Sequence, residues 1–479
     1  MFREAAPRIR IDGAPELFRL QDVSISGMSM LAEYAREIDL SQGDSAQLEL
    51  VQNGVAIFSG LGRVVRVDET AFGTRIAFGV DSQHIDIPGL VQQNFRALLT
   101  PFLNSVDSDS VRMVPAEYRR LCADVLNLLR GYKSVLVQGA ELASSSGDAS
   151  ELPALLDECE TRILPQWRAF CREGNALGGP LFADKDALAA TKRFTERVLM
   201  SEFMEGPIWR RSFEKPLGYP GDFQIMNYLY DWGWEGETPY GKLLHRLGLE
   251  AARCVCTRME IVKDTIAEMA LARRGQEETR VISLGCGSAR EVQRYLEAPA
   301  EDGSKISFTL IDQEPKALEY AYNACHPYLI GDAAPASMQC LNLSFMQIVR
   351  DRQALAHLPK QHFIYTVGLI DYLSPKLSSA LIAKLYEKLE PGGLLVVGNM
   401  SDSISGCMWT TEFITDWRLI HRSEAEMRAL ADDLPTKMVW TKTDSTGDVY
   451  LLFIAKPKEA GDASMDEAQP AASIHMLSS

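Results

Sequence analysis

Residues 279–297 read TRVISLGCGSAREVQRYLE, and this stretch decides the fold of the C-terminal half of the chain. The run VISL at 281–284 predicts a buried strand, Gly285 and Gly287 predict a tight turn, and residues 291–296 predict a helix. Glycines at such a turn let a ligand approach the backbone near the free N–H groups at the helix start. A tight turn without a ligand gives the same short pattern.

Strand and helix patterns alternate on the C-terminal side of this stretch. One helix is predicted at 315–324, and a second where leucines recur at every fourth residue before Pro391. Strands are predicted at 308–311, 363–367, 394–397, 437–441 and 449–455. This alternation predicts a parallel sheet covered by helices, an α/β fold.

The N-terminal part of the chain has a different pattern. Short strands are predicted at 16–22, 46–51, 55–58, 63–67 and 74–78, and Asn53-Gly54 predicts a hairpin turn between 48–51 and 55–58. From about residue 88 to 272, apolar residues follow helical spacing. The chain is therefore predicted to have an all-β segment, a helical region and an α/β domain.

The composition narrows the class of protein. The 479 residues include 49 Lys and Arg against 65 Asp and Glu, a net charge of −16, which argues against nucleic acid polymers and anionic membranes as partners. We find neither the ~20 apolar residues of a spanning helix nor a signal peptide, and we expect a cytoplasmic protein. The nine dispersed cysteines, Cys254 and Cys256 included, predict reduced thiols and no metal site.

Asp312 ends the second strand of the α/β segment, 25 residues after Gly287. An acid at this place binds ribose hydroxyls in nucleoside-binding α/β folds. Asp312 is also placed to cap the helix that Pro315 begins, so both roles remain open. Arg290 stands where a dinucleotide-binding turn has its third glycine, which argues against NAD.

The turn GCGSA at 285–289, the acid at 312 and the turn LEPGG at 389–393 together resemble the class I S-adenosylmethionine-dependent methyltransferases. The resemblance covers about residues 205–456 and implies an α/β Rossmann-like fold. Members of this class usually carry an acid where this chain has Ser283, at the methionine end of the cofactor.

Four phrases resemble a narrower bacterial family, one labelled for the biosynthesis of 3-hydroxypalmitic acid methyl ester, an extracellular signal. They are FEKPLGYPGD at 213–222, ARE at 289–291, GLIDYL at 368–373 and WRLIHR at 417–422. This resemblance implies a small-molecule acceptor, with a fatty acid carboxylate as the candidate.

The resemblance also implies the cofactor-binding residues. Gly285, Gly287, Ser288 and Ala289 would line the methionine and ribose. Asp312 and Gln313 would hold the ribose and flank adenine, and Asn342, Leu343 and Ser344 would border adenine. Gly368 and Leu369 would face the sulfonium.

Methyl transfer needs positioning and exclusion of water more than it needs a catalytic base. A carboxylate acceptor requires no base, whereas an amine or hydroxyl acceptor must lose a proton. The candidate catalytic residues are Tyr219, Asp222, Asp371 and Tyr372. Residues 213–222, with two glycines and two prolines, predict either a lid over the cofactor or a surface turn between helices.

Residues 22–27 read DVSISG, and with GRVVRV at 62–67 and GTRIAF at 73–78 they resemble a PilZ domain, a small β-barrel that binds cyclic di-GMP in many members. The expected RxxxR arm is irregular, because Arg3 and Arg8 are five residues apart. If the domain binds the nucleotide, the resemblance implies the site residues Arg3, Arg8, Asp22, Ser24 and Gly27. Docking without a nucleotide is the alternative.

We therefore expect a multidomain methyltransferase: a PilZ-like barrel at 1–100, a helical region at 101–204, a lid segment and methyltransferase core at 205–458, and a disordered tail at 459–479. One alternative is a non-catalytic signalling adaptor that binds the cofactor, which the missing acid at Ser283 suggests. Another is a protein methyltransferase of the chemotaxis receptor type, which also carries helices before its core.

Overall fold

The computed structural model describes residues 7–12, 14, 17–32, 40–52, 55–70, 73–80, 84–90, 109–146, 150–276, 278–298, 305–330, 336–403 and 406–458. Six N-terminal strands form a closed barrel in the order β1-β2-β3-β6-β5-β4. They are β1 (Arg8–Ile11), β2 (Leu17–Ser24), β3 (Gly27–Ala32), β4 (Ser45–Gln52), β5 (Val55–Thr70) and β6 (Gly73–Gly79).

The long strand β5 replaces two of the predicted strands. Its first half pairs with β4 and its second half with β6, so one strand joins both sides of the barrel. Gly60 and Gly62 interrupt the apolar pattern here, and a Cβ at Gly62 would lie 2.3 Å from Cδ1 of Leu48. Glycine therefore allows close packing inside a continuous strand. The turn at 53–54 lies outside the described residues, but β4 and β5 pair as the hairpin prediction requires.

The middle of the chain is helical. Its helices are α1 (Ala116–Ser146), α2 (Glu151–Gly178), α3 (Lys185–Phe203), α4 (Pro207–Glu214), α5 (Phe223–Asp231), α6 (Pro239–Ala251) and α7 (Cys254–Ala272), with 3₁₀ helices at Asp109–Met113 and Gly179–Ala183. Trp167, Phe203 and Trp209 form a buried aromatic cluster whose ring centroids are 4.7–6.0 Å apart. These helices and one face of the C-terminal sheet share a single hydrophobic core.

In the residues that the structure describes, the C-terminal domain contains seven strands and five α-helices. The strands are β7 (Thr279–Leu284), β8 (Ile306–Asp312), β9 (Ala336–Asn342), β10 (Gln361–Thr366), β11 (Leu389–Met400), β12 (Val439–Thr443) and β13 (Val449–Ala455). The helices are α8 (Arg290–Glu297), α9 (Pro315–Cys325), α10 (Phe345–Arg350), α11 (Pro375–Glu387) and α12 (Glu424–Ala429), with 3₁₀ helices at His326–Tyr328 and Ile370–Tyr372.

The seven strands form one sheet in the order β12-β13-β11-β10-β7-β8-β9. Strands β11, β10, β7, β8 and β9 are parallel, and β13 is antiparallel to both of its neighbours. The chain runs from β7 to β8 on one side and returns to β10 on the other, so β7 and β10 flank a topological switch point, where open α/β sheets bind ligands.

This arrangement confirms the predicted fold class, which is an N-terminal β-barrel, a helical middle region and a C-terminal α/β domain. The α/β domain has the Rossmann-like form that the sequence resemblance implies. Strand β11 begins earlier than predicted, because Leu389 already pairs with Gln361 of β10; the predicted turn lies within the strand, where Gly392 has a φ of +79°. A π-helix, Trp409–Ile414, joins the sheet domain to α3.

The predicted domain limits at 1–100, 101–204 and 205–458 remain predictions, and the tail from residue 459 lies outside the described residues. Within the described part of the chain, no helix combines the length and the apolar character that crossing a membrane requires.

Candidate functional site

A cavity opens at the carboxyl ends of β7, β8 and β10. It encloses about 1360 Å³ of empty space, its open mouth included. Its floor is the turn after β7, and its walls come from the segments after β8 and β10, from residues 219–221 and from α7. The cavity therefore lies at the switch point of the sheet, where the sequence predicts the cofactor.

The turn after β7 takes its shape from its glycines. Gly285 and Gly287 have φ values of +67° and +52°, in the left-handed region that side chains disfavour. The backbone N–H groups of Gly285 and Cys286 donate to the carbonyl oxygen of Ile311 at 2.8 and 3.1 Å. Because these N–H groups are already bonded within the protein, the turn offers little to a pyrophosphate, which agrees with the prediction against a dinucleotide.

Asp312 links the two strand ends at the floor of the cavity. Its Oδ2 accepts a hydrogen bond from the Gly287 N–H at 2.9 Å, and its Oδ1 accepts one from the Glu314 N–H at 2.9 Å. Burial raises the pKa of Asp312, although the N–H groups of Glu314 and Gly287 oppose this shift. A carboxylate oxygen has a second lone pair, so Asp312 retains the capacity to accept bonds from two adjacent hydroxyl groups.

Eight of the eleven predicted cofactor-binding residues line the cavity: Gly285, Gly287, Ser288, Asp312, Gln313, Leu343, Gly368 and Leu369. The other three, Ala289, Asn342 and Ser344, lie behind the lining. Asn342 donates from its side chain to the carbonyl oxygen of Asp312 at 3.0 Å, and Ser344 caps α10. These two residues shape the ends of β8 and β9 from outside the cavity.

The lining carries polar atoms that lack a partner in the described structure. Ser288 Oγ and Gln313 Oε1 are buried without a hydrogen bond among the described residues. Buried polar atoms are normally paired, so both atoms point to a polar ligand. Leu343 and Phe345 add an apolar wall beside Asp312, as a flat base next to a ribose requires. The lining thus fits a nucleoside.

Residues 213–222 comprise the last two residues of α4 and the loop that leads to α5, and this loop reaches the cavity. Three of them, Tyr219, Pro220 and Gly221, line it. Gly221 packs against Trp417 so closely that a Cβ on Gly221 would lie 2.3 Å from Cζ2 of the indole. Trp417 in turn donates from Nε1 to the hydroxyl oxygen of Tyr372 at 2.9 Å. The segment therefore forms part of the cavity wall and is linked through Trp417 to Tyr372, a predicted catalytic residue.

Three of the four candidate catalytic residues, Tyr219, Asp371 and Tyr372, line the cavity. Burial, followed by the charge of Asp312, raises the pKa of Tyr219, and burial with the charge of Asp371 raises that of Tyr372. Burial also raises the pKa of Asp371, whose Oδ1 accepts a hydrogen bond from the Met400 N–H at 2.6 Å. Both tyrosine hydroxyls are therefore protonated at neutral pH, and that of Tyr372 accepts the hydrogen bond from Trp417.

Asp222, the fourth candidate, lies outside the lining. Its carboxylate accepts hydrogen bonds from the N–H groups of Gln224 and Ile225 at 3.0 and 3.1 Å, and from Nε of Arg211 at 2.9 Å. Asp222 is thus the N-cap of α5 and fixes the C-terminal end of the segment 213–222. Its contacts position that segment and give no route to a bound substrate.

The sequence analysis did not select three polar residues that line the cavity: Arg258, Glu291 and Tyr365. Arg258 lies on the buried face of α7, between Val255 and Val262, so a charged residue within a helical apolar stripe was the available signal. Glu291 belongs to the phrase ARE, and the phrase alone gives it no role.

The barrel brings together part of the predicted nucleotide site. Asp22 and Ser24 end β2 and Gly27 begins β3, where a Cβ on Gly27 would lie 2.5 Å from the carbonyl oxygen of Phe78. Asp22 forms an ion pair with Arg75 of β6. Arg8 is exposed on β1 and pairs in register with Arg19, three residues before Asp22. Arg3 lies outside the described residues.

The chain matches no family model and no curated protein. Similar solved structures include a possible exported protein from Bordetella parapertussis, with 16% identity, 56% of this chain and 96% of that chain covered, and a TM-score of 0.40. The N-methyltransferase NodS from Bradyrhizobium japonicum WM9, in complex with S-adenosyl-L-homocysteine, has 15% identity, 42% and 87% coverage and a TM-score of 0.29. Magnesium protoporphyrin IX methyltransferase (ChlM) from Synechocystis PCC 6803, with bound SAM, has 12% identity, 43% and 83% coverage and a TM-score of 0.30. The strand order of the sheet, and not these likenesses, defines the fold.

Proposed function

We propose that the chain is an S-adenosylmethionine-dependent methyltransferase that acts on a small molecule. One observation carries this proposal: Asp312 is hydrogen-bonded to the Gly287 N–H in the turn that also contains Gly285, and these residues line a cavity at the switch point of the sheet. When bound, S-adenosylmethionine supplies a methyl group on a positively charged sulfur, which is already an activated leaving group.

In this proposal the chain binds and orients the cofactor. Asp312 accepts hydrogen bonds from ribose hydroxyls, Gln313 and Leu343 flank the adenine, and Gly368 leaves room at the sulfur. The remaining predicted contacts are Gly285, Gly287, Ser288 and Leu369, which line the cavity, and Ala289, Asn342 and Ser344, which support the lining from behind.

A carboxylate acceptor agrees best with the chemistry of the lining. Tyr219 and Tyr372 are protonated at neutral pH, as tyrosines ordinarily are, and burial raises their pKa values further, which makes them still harder to deprotonate. A carboxylate is already ionised and needs no base, so the tyrosines have only to orient it. Met226, Val255, Met400 and Leu419 form an apolar wall in the same cavity. A fatty acid carboxylate, the acceptor that the sequence resemblance implies, has both an ionised end and an apolar chain.

Transfer of a labelled methyl group tests this proposal. The protein is incubated with S-adenosylmethionine that carries a trideuterated methyl group and with fractionated bacterial extract, and the products are identified by mass spectrometry. We expect a labelled apolar ester that forms with the wild type and not with Asp312→Asn. Label in a protein fraction instead would favour the chemotaxis receptor type, and cofactor binding without labelled product would favour the adaptor.

We also propose that the barrel is a PilZ-like domain that binds cyclic di-GMP and regulates the transferase. Arg8, Asp22, Ser24 and Gly27 support this proposal, because the first is an exposed cation on β1 and the other three meet where β2 turns into β3. Arg3 belongs to the same prediction. The ion pair between Asp22 and Arg75 brings a further guanidinium to this surface.

A further inference from the structure

Arg258 is a buried cation that forms no hydrogen bond or ion pair with any residue that the structure describes. It is 8% exposed, lies within the apolar face of α7 and lines the cavity. Among the described residues, no hydrogen bond or ion pair reaches its guanidinium, and its Nε is buried without a partner. The charge of Arg258 lowers the pKa values of Asp371 and Glu291, which line the same cavity, but neither carboxylate contacts it directly. A buried guanidinium without a direct hydrogen-bond acceptor is costly, so it is expected to meet an anionic group of a ligand.

Glu291 is a buried acid that lines the same cavity. It is 6% exposed, and its Oε1 accepts a hydrogen bond from the Tyr365 hydroxyl at 2.8 Å. Burial raises the pKa of Glu291, and hydrogen bonds from the backbone, Tyr365 and Ser283, together with the charge of Arg258, oppose the shift. Ser283 occupies the position where related enzymes carry an acid, so Glu291 brings a carboxylate to that place from the first turn of α8.

The two opposite charges share a cavity without forming an ion pair. No contact between a guanidinium nitrogen of Arg258 and a carboxylate oxygen of Glu291 falls within 4.0 Å in the described structure. A Cβ on Gly368 would lie 3.0 Å from Nη2 of Arg258, so the guanidinium lies beside the segment after β10, whereas the Glu291 carboxylate lies beside the Tyr365 hydroxyl of the same strand. The two charged groups line one cavity without a direct contact, so a dipolar group can lie between them.

We propose that Arg258 and Glu291 form a clamp for the α-amino acid end of S-adenosylmethionine, in which Arg258 binds the carboxylate and Glu291 binds the ammonium group. This inference rests on the proposed function. An acceptor carboxylate would satisfy Arg258 alone and would leave Glu291 buried without a cation. A zwitterion satisfies both charges at once, and each contact is a charge-assisted hydrogen bond.

Two cofactor fragments separate this clamp from the rest of the site. S-adenosylhomocysteine carries the amino acid end, whereas 5′-methylthioadenosine lacks it and keeps the nucleoside and the sulfur. Affinities are measured by calorimetry for the wild type, Arg258→Met and Glu291→Gln. We expect each variant to bind S-adenosylhomocysteine at least about tenfold more weakly and to bind 5′-methylthioadenosine within about twofold of the wild type.

Matched controls exclude a general effect of charge removal. Arg280→Met removes a half-buried arginine of β7 at the opposite edge of the sheet, where it pairs with Glu390. Glu202→Gln alters a buried carboxylate that also accepts a hydrogen bond from a tyrosine, Tyr240, but lies in the helical region. Neither control should change the preference for S-adenosylhomocysteine.

The nucleoside fragment also reports whether a variant is folded. Equal weakening of both fragments in Arg258→Met and Glu291→Gln would overturn the clamp, because it would indicate a structural role. Unchanged affinity for S-adenosylhomocysteine would overturn it as well and leave the methyltransferase proposal intact. A wild type that binds neither fragment would contradict the proposed function itself.

Discussion

The carboxylate of Asp312 accepts a hydrogen bond from the backbone N–H of Gly287 at 2.9 Å. This bond joins the end of β8 to the turn after β7, so the acid predicted to bind ribose also fixes the turn predicted to bind the methionine end. Any change at one residue is therefore expected to disturb the other, and the two must be tested with controls that separate local strain from binding.

Gly287→Ala tests the turn. Its φ of +52° makes any side chain cost about 1–2 kcal/mol, and the added methyl group would stand in open space at a residue that lines the cavity. Gly275→Ala is the matched control, because Gly275 has a φ of +77°, open space around its Cβ and a position beyond α7. We expect similar losses of unfolding free energy in both variants by chemical denaturation, and a loss of S-adenosylhomocysteine affinity of at least about tenfold only in Gly287→Ala. Wild-type affinity in Gly287→Ala would contradict the placement of the cofactor.

Gly221→Ala tests whether residues 213–222 act as a lid over the cavity. The added methyl group would collide with the indole of Trp417 and displace the partner of the Tyr372 hydroxyl. Gly218→Ala is its control in the same segment, with a φ of +87° and no heavy atom within 4 Å of the added Cβ. We expect S-adenosylhomocysteine to dissociate several-fold faster from Gly221→Ala in stopped-flow experiments. Equal dissociation rates in the two variants would show that the segment is a surface turn and not a lid.

The burial of His245 is expected to lower the free energy of unfolding in acid. The ring is fully buried, its Nδ1 accepts a hydrogen bond from the Ile208 N–H at 3.3 Å, and burial followed by the charge of Arg246 lowers its pKa to about 4. An unfolded histidine binds a proton below about pH 6.5, so between pH 6.5 and 4 the unfolded state holds more protons and the unfolding free energy falls as the pH falls. His245→Asn keeps an acceptor for the Ile208 N–H. Between pH 4 and 6.5 we expect its unfolding free energy to fall less steeply with pH than that of the wild type, by a slope that corresponds to about one bound proton. The same slope in variant and wild type would contradict this assignment.

Arg8→Ala tests the barrel. If the exposed guanidinium of Arg8 binds a phosphate or guanine of cyclic di-GMP, its removal should weaken the affinity at least about tenfold in a calorimetric titration. Arg66→Ala is the control, because Arg66 is an exposed arginine of β5 that pairs with Asp68. Unchanged affinity in Arg8→Ala would remove Arg8 from the site, and no binding by the wild type would favour a barrel used for docking.

The fold was predictable where local pattern and tertiary environment agree. Strands β8, β10 and β13 are almost entirely buried, because both faces of the sheet are covered there, and each contains a mostly apolar run that predicted it, at 308–311, 363–367 and 449–455. Strand β5 was predicted as two strands, because Gly60 and Gly62 carry no apolar signal of their own. Strands β1 and β3 were not predicted: β1 has only four residues, and β3 (GMSMLA) lacks the β-branched residues that mark a strand.

The candidate site was predictable only where it follows the strand ends. Gly287 and Asp312 belong to the turns after β7 and β8, so their positions come from the order of the elements. Arg258 and Glu291 come from helices, and the direction in which a helix side chain points depends on how that helix packs. Their roles as cavity residues therefore required the structure.

Calorimetric titration of S-adenosylhomocysteine into the full chain tests the central claim most directly. The account predicts binding of one ligand per chain, at least about tenfold weaker in Asp312→Asn because the ribose loses its charged acceptor. Asp184→Asn is the matched control, because Asp184 also accepts hydrogen bonds from two backbone N–H groups, at 3.0 and 3.1 Å, but caps α3 far along the chain from the turn at Gly287. Its affinity should equal that of the wild type. No heat of binding from the wild type with either S-adenosylhomocysteine or S-adenosylmethionine would contradict the assignment of the cavity as a methyltransferase site.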